Sequence, residues 1–276
     1  MNYQRLVTII KHKRSFLCVG LDTDSEKIPS CVSSKKNPLF EFNKNIIDAT
    51  ADITVAYKIN IAFYECHGAN GWNEMAMTAR YIKATYPDMF LIADAKRGDI
   101  GNTSDKYAAA FFKNLPFDAI TVAPYMGYDS VSPFLRYENK WVILLALTSN
   151  SGAEDFQQLS LADTGEKVYE RVIKQSALWA QQDKMMYVVG ATRAPMLHAV
   201  RKLIPDHFLL VPGVGAQGGS LAEVAKYGMN KNCGLLVNSS RAILYADRGD
   251  NYHIAARQEA LKIRQEMSSL LSAAGL

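Results

Sequence analysis

Eight short apolar, β-branched runs follow one another along this chain of 276 residues, most of them separated by helix-like segments. A run that is apolar at nearly every position has to be buried on both faces, which is the signature of a parallel sheet covered by helices. The runs are "FLCVGLD" (16–22), "ITVAYKIN" (53–60), "MFLIADAK" (89–96), "AITVAPY" (119–125), "WVILLALTS" (141–149), "MMYVVGAT" (185–192), "HFLLVPGVG" (207–215) and "CGLLVNSS" (233–240). Among the intervening segments, 37–52 offers Asn37 as an N-cap with Pro38 at the first helical position. Segment 164–183 has apolar residues at helical spacing, and 220–228 starts at Ser220 and stops at Gly228. Residues from Asn251 onward read as a closing helix. Eight such units predict closure into an α/β (β/α)8 TIM barrel, with an open doubly wound sheet as the alternative. No linker, repeat or low-complexity segment interrupts the series, so residues 1–276 read as a single barrel domain.

In such barrels the active site lies at the C-terminal ends of the strands. Polar groups gather at six of those ends: Asp22, then Lys58 with Asn60, Asp94 with Lys96, Thr148 with Ser149, the stretch 213–219, and Arg241. Strands that merely turn polar on leaving the core account for one or two such ends, less well for six. Period-two alternation places Asp94 and Lys96 on the same side, toward the barrel mouth, and does the same for Lys58 and Asn60. A plain interstrand ion pair between Lys58 and Asp94 is the structural alternative.

The net charge of +4 is small and spread along the chain. The nearest approach to a basic cluster, Lys11-His12-Lys13-Arg14, reads as a solvated helix end rather than a nucleic-acid surface. Cys18, Cys31, Cys66 and Cys233 lack C-x-x-C spacing and paired histidines, so they read as reduced thiols with no metal site. The N-terminal segment has the reverse of a secretion signal's order, and no stretch of about 18 apolar residues would span a membrane. The expectation is a cytoplasmic protein.

"PGVGAQGG" (212–219) holds a G-x-G-x-x-G, but it follows the seventh run and has no acidic residue about 20 positions on, unlike a dinucleotide fingerprint. A barrel phosphate site fits better, because backbone N–H groups approach phosphate oxygens at glycines and the helix starting near Ser220 presents its positive end. Arg241 can add a charge-assisted contact. A glycine turn with no ligand is the competing reading. On the first, the ligand is a phosphorylated small molecule.

The order Asp94-x-Lys96-x-x-Asp99-Ile100-x-x-Thr103 resembles the D-x-K-x-x-D-I-x-x-T pattern of the orotidine 5′-phosphate decarboxylase family, in its longer bacterial chains. "GLD" (20–22), "YKIN" (57–60), "TSNSG" (148–152), "GATRAP" (190–195), "PGVGAQGG" and "SSRAI" (239–243) fall where that family has them. The resemblance implies that Lys58, Asp94, Lys96 and Asp99 form a catalytic charged tetrad. It implies a homodimer in which Asp99, Ile100 and Thr103 enter the partner's site. Asp22 and Lys58 would bind ribose hydroxyls, and Ser149, or Ser151 in its place, the pyrimidine. Gln217 would reach phosphate and base, while Gly218, Gly219 and Arg241 would hold the phosphate. The implied activity is cofactor-independent decarboxylation of orotidine 5′-phosphate to uridine 5′-phosphate, with no metal, nucleic acid or membrane as partner. Two alternatives stand beside it: a metal-dependent sugar-phosphate decarboxylase or aldolase of the same barrel superfamily, and a catalytically silent nucleotide-binding barrel.

Overall fold

A computed structural model describes residues 1–214 and 218–276, with the backbone alone at 193 and 194. All eight expected strands form: β1 (Leu17–Gly20), β2 (Ala56–Asn60), β3 (Phe90–Arg97), β4 (Ala119–Val122), β5 (Trp141–Leu147), β6 (Met185–Val189), β7 (Phe208–Pro212) and β8 (Leu235–Ser239). Each pairs in parallel with its sequence neighbours, and β8 pairs back onto β1 through Leu17↔Val237 and Val19↔Ser239, closing the barrel.

The interior fills from the N-terminal end. Phe90, Trp141 and Phe208 are the first residues of β3, β5 and β7, and none is exposed. Their rings meet edge-on, Phe90 to Trp141 at 6.1 Å and Trp141 to Phe208 at 6.5 Å, which matches a barrel layer drawn from alternate strands. Tyr3, on the leading helix Tyr3–Lys13, closes over them at 5.3 Å from Phe208. With that end filled by rings, the C-terminal rim is the open end of the barrel.

The expected helices form with shorter ends. Pro38–Thr50 starts at Asn37, whose side chain makes no cap bond, so Pro38 supplies the start signal. Leu221–Gly228 is capped by Ser220, whose hydroxyl accepts from Glu223 N–H. Tyr252–Ala273 closes the chain. The segment expected over 164–183 is helical only at Val168–Ala177. Gly165 sits at φ 72°, and the helix begins where Glu170 turns back to accept from Lys167 N–H.

The basic cluster departs from its reading. Lys11 and His12 are exposed at the end of the first helix, but Lys13 and Arg14 are half-buried. Lys13 Nζ donates to the Ala51 and Thr54 carbonyls, and Arg14 donates to Ser268 O and to the Leu276 carbonyl. These cations tie helix ends together and do not form a solvated face. All four cysteines are free thiols; Cys18 and Cys233 are buried, and Cys31 and Cys66 are exposed.

Candidate active site

Three strand ends, those of β1, β2 and β3, assemble one line of alternating charge. Lys58 on β2 is 4% exposed, and its Nζ lies 3.1 Å from both Asp22 Oδ1 and Asp94 Oδ2. Asp94 Oδ1 lies 2.7 Å from Lys96 Nζ and also accepts from Thr121 Oγ1 at 3.0 Å. At the far end, Asp22 Oδ2 accepts from Ser240 Oγ at 2.8 Å. The Lys58–Asp94 ion pair therefore exists, as one link in a longer network.

Burial alone would drive Lys58 toward its neutral form, but Asp22 and Asp94 outweigh it and hold its pKa above the ordinary lysine value. Burial likewise disfavours the Asp94 carboxylate, yet Lys58 and Lys96 bring its pKa from 3.8 down to about 2. The sign of the pH dependence follows. The depressed Asp94 contributes stability that is present above pH 4 and lost as pH falls toward 2. The raised Lys58 contributes stability that is full below 10.5 and lost at higher pH. Denaturant unfolding of the wild type and of Asp94→Asn should therefore give a stability gap that narrows by about 2 kcal/mol between pH 5 and 2. A gap constant over that range would contradict the electrostatic picture.

The convergence of Asp94 and Lys96 arises differently from simple alternation. The β3–β4 register holds at Ala93↔Ile120 and resumes at Arg97↔Val122, so β3 bulges between these pairs. Lys96 lies in that bulge at φ 47°. Its side chain swings back to Asp94 while remaining 51% exposed, against 11% for Asp94. The buried carboxylate thus holds an ammonium that still faces the cavity.

That cavity has a volume of about 730 Å³ and opens at the C-terminal rim. Asp22, Lys58, Asp94, Lys96, Ser149 and Arg241 all border it, together with an apolar floor of Leu145, Val188 and Leu210. A charged wall over an apolar floor suits a small anionic ligand with a planar ring.

A family model described as orotidine 5′-phosphate decarboxylase / HUMPS family matches residues 15–252. The chain belongs to this family. It is 58% identical to the orotidine 5′-phosphate decarboxylase of Bacteroides fragilis strain YCH46, over 99% of each chain. It is 59% identical to that of Parabacteroides distasonis, over 100% of this chain and 98% of the relative. Among solved structures, it resembles the OMP decarboxylase of Leishmania donovani at 36% identity and a TM-score of 0.82, covering 98% of each chain.

Within this family barrel, Asp99, Ile100, Thr103, Gly218 and Gly219 lie elsewhere than on the cavity wall. Asp99 is half-buried and accepts from its own Ile100 N–H at 2.7 Å; Ile100 is 54% exposed, and Thr103 lies exposed on the helix Gly101–Ala109. None of the three borders this chain's own cavity. The glycine loop contributes Pro212, Gly213 and Val214 to the wall, while Gly219 N–H turns back to the Gly213 carbonyl and Gly218 is exposed. Gln217 lies outside the described residues. Of the two serines, Ser149 borders the cavity and Ser151 is exposed away from it.

Two glycines make the close approaches this site needs. A Cβ on Gly20 would fall 1.8 Å from Ser240 Oγ, the hydroxyl that holds Asp22. A Cβ on Gly190 would fall 2.6 Å from the Ser149 Cβ. Side chains at either position would push a rim residue out of place.

Sequence reasoning missed Thr121, Ser240 and Tyr245. Tyr245 OH donates to the Asp22 carbonyl at 3.1 Å and accepts from Asp24 N–H at 2.8 Å. Thr121 is the one polar residue inside the apolar run Ala119–Val122, and that isolation was the available signal.

Proposed function

We propose that this chain, as one barrel domain, decarboxylates orotidine 5′-phosphate to uridine 5′-phosphate in pyrimidine biosynthesis, without a cofactor. The observation that carries this reading is the Lys58–Asp94–Lys96 line, with an outer ammonium aimed into a cavity of nucleotide size. Loss of CO₂ from pyrimidine C6 leaves an electron pair in the ring plane, where the π-system gives little help. Fixed charge has to meet that pair, and the barrier reduction required is on the order of 20 kcal/mol.

Lys96 is the group for both tasks. Its ammonium stabilises the developing carbanion and then donates the proton to C6. Asp94 holds that ammonium at 2.7 Å and meets the substrate carboxylate with like charge, a repulsion relieved as CO₂ departs. Lys58 neutralises Asp94 from behind and, with Asp22, serves the ribose hydroxyls. Ser149 serves the pyrimidine. Gly218, Gly219, Gln217 and Arg241 serve the phosphate, remote from the reacting carbon, where binding energy can favour an assembled site.

Asp99, Ile100 and Thr103 complete the site of a second copy in a homodimer. Support comes from the exposed apolar surface beside them: Ile100 at 54%, Tyr125 at 93%, Met126 at 45% and Tyr128 at 52%. The loop bearing Tyr125 and Met126 adjoins the Asp99 loop through the Ala123 N–H bond to the Arg97 carbonyl. A cytoplasmic site of action fits the four free thiols. No described helix is long and apolar enough to cross a membrane.

The deciding assay is the ultraviolet change of orotidine 5′-phosphate on adding chelator-treated protein. Steady conversion to uridine 5′-phosphate supports the proposal. Turnover that vanishes on chelation and returns with a divalent cation would favour the metal-dependent alternative. Binding without conversion would favour a silent barrel. Neither alternative is favoured by the relatives, which are decarboxylases by name at 58–59% identity. The two carboxylates best placed to hold a cation also already share the Lys58 ammonium.

Arg241 begins the short helix Arg241–Leu244, exposed at the cavity rim. Arg241→Ala should raise KM for the nucleotide by roughly 10–100-fold, the loss of a charge-assisted pair worth ~1.5–3 kcal/mol. If closure draws on that grip, kcat falls as well. Unchanged KM and kcat would place the phosphate elsewhere.

A further inference from the structure

We propose that Thr121 is a positioning residue that locks the Lys96 backbone and the Asp94 carboxylate into one fixed arrangement, an inference that rests on the decarboxylase reading. The bulge in β3 creates the need for such a lock. From Ala93 to Arg97 the strand advances four residues while β4 advances two, from Ile120 to Val122. Thr121 is the β4 residue opposite that excess. The bulge takes Lys96 N–H out of the ladder, and Lys96 sits at φ 47°, a conformation that side chains rarely adopt without local support.

Thr121 supplies that support through one oxygen. Its Oγ1 accepts from Lys96 N–H at 2.8 Å and donates to Asp94 Oδ1 at 3.0 Å. Lys96 Nζ returns to the same Asp94 Oδ1 at 2.7 Å. A closed ring results: backbone N–H, hydroxyl, carboxylate, ammonium. A hydroxyl both accepts and donates, and no apolar side chain of similar shape can close this ring. Thr121 is 1% exposed and pairs with Ile143 across β4–β5, so its own position is set by the barrel wall. It therefore couples a rigid strand to the strained residue whose ammonium performs the chemistry.

Thr121→Val keeps the β-branched shape and removes both bonds, whereas Thr121→Ser keeps the hydroxyl. For Val, kcat should fall roughly 10–100-fold, the usual consequence of displacing a reacting group by about an ångström. KM, and the Kd for uridine 5′-phosphate by calorimetry, should stay within about threefold, since ground-state binding is not what is lost. Ser should recover most of kcat. Hydrogen exchange of peptides covering 94–100 gives a readout independent of turnover: faster exchange is expected in Val and wild-type protection in Ser. Circular dichroism and melting show whether each variant is folded; should Val not fold, the decision passes to Ser and to Thr121→Ala. The proposal is overturned if folded Val keeps wild-type kcat, if Ser falls as far as Val, or if KM and Kd rise while kcat holds. A wild type that leaves orotidine 5′-phosphate unchanged would sink the decarboxylase reading instead, with the exchange data still deciding whether Thr121 locks the bulge.

Discussion

Lys96→Ala should lose turnover by at least about 10⁴-fold while the barrel remains folded. Two contributions vanish together: general-acid catalysis worth ~10²–10⁴ and preorganised charge worth ~10²–10³. The fold should survive because the Lys96 side chain is 51% exposed and belongs to no packed layer of the barrel. Asp94 keeps two partners in the variant, Lys58 Nζ at 3.1 Å and Thr121 Oγ1 at 3.0 Å, so no buried charge is orphaned. Single-turnover measurement of uridine 5′-phosphate formation, alongside circular dichroism, checks both halves. A folded variant with near-normal turnover would remove Lys96 from the chemistry and leave the line of charge as a structural device.

Mixing two inactive variants should restore activity. Asp99 lies three residues past Lys96, beyond Gly98, and does not border its own cavity. If it serves a twofold partner, one patch on each subunit completes the other's site. Lys96→Ala and Asp99→Ala are each expected to be inactive as homodimers. In a mixed dimer, one site receives both substitutions and the other receives neither. Random exchange should then return about a quarter of the wild-type activity per site. A mixture that stays silent, despite subunit exchange shown by mass spectrometry of differently tagged chains, would mean that Asp99 serves its own chain.

The barrel was legible because its signal is local. Each strand buries both faces, so each reads as an unbroken apolar run whatever its neighbours do. The charged residues at the rim were legible for the converse reason: Lys58, Asp94 and Lys96 stand out at the ends of runs that are otherwise apolar. Meeting of Lys58 and Asp94 follows from neighbouring parallel strands in the register Lys58↔Ile92 and Asn60↔Asp94.

Other features depend on the register between strands, which no local pattern encodes. Alternation predicts that Asp94 and Lys96 face one way, but in the structure they meet through a bulge with Lys96 in a left-handed conformation. That bulge is visible only once β4 is laid beside β3. Thr121 and Ser240 escaped notice because a hydroxyl in or after an apolar run looks like ordinary strand composition. Their roles appear when strand pairing brings β4 beside Asp94 and closure brings the end of β8 beside Asp22, 27 and 218 residues away in the chain. Lys13 and Arg14 looked solvated for the same reason, since the carbonyls that bind them belong to distant helix ends. The sequence by itself determined which segments are strands and which charged groups sit at their ends, because burial and periodicity are properties of neighbours in the chain. Tertiary structure alone decided which hydroxyls hold those charges and at what angle, because a hydrogen bond across a closed barrel depends on residues the chain places far apart.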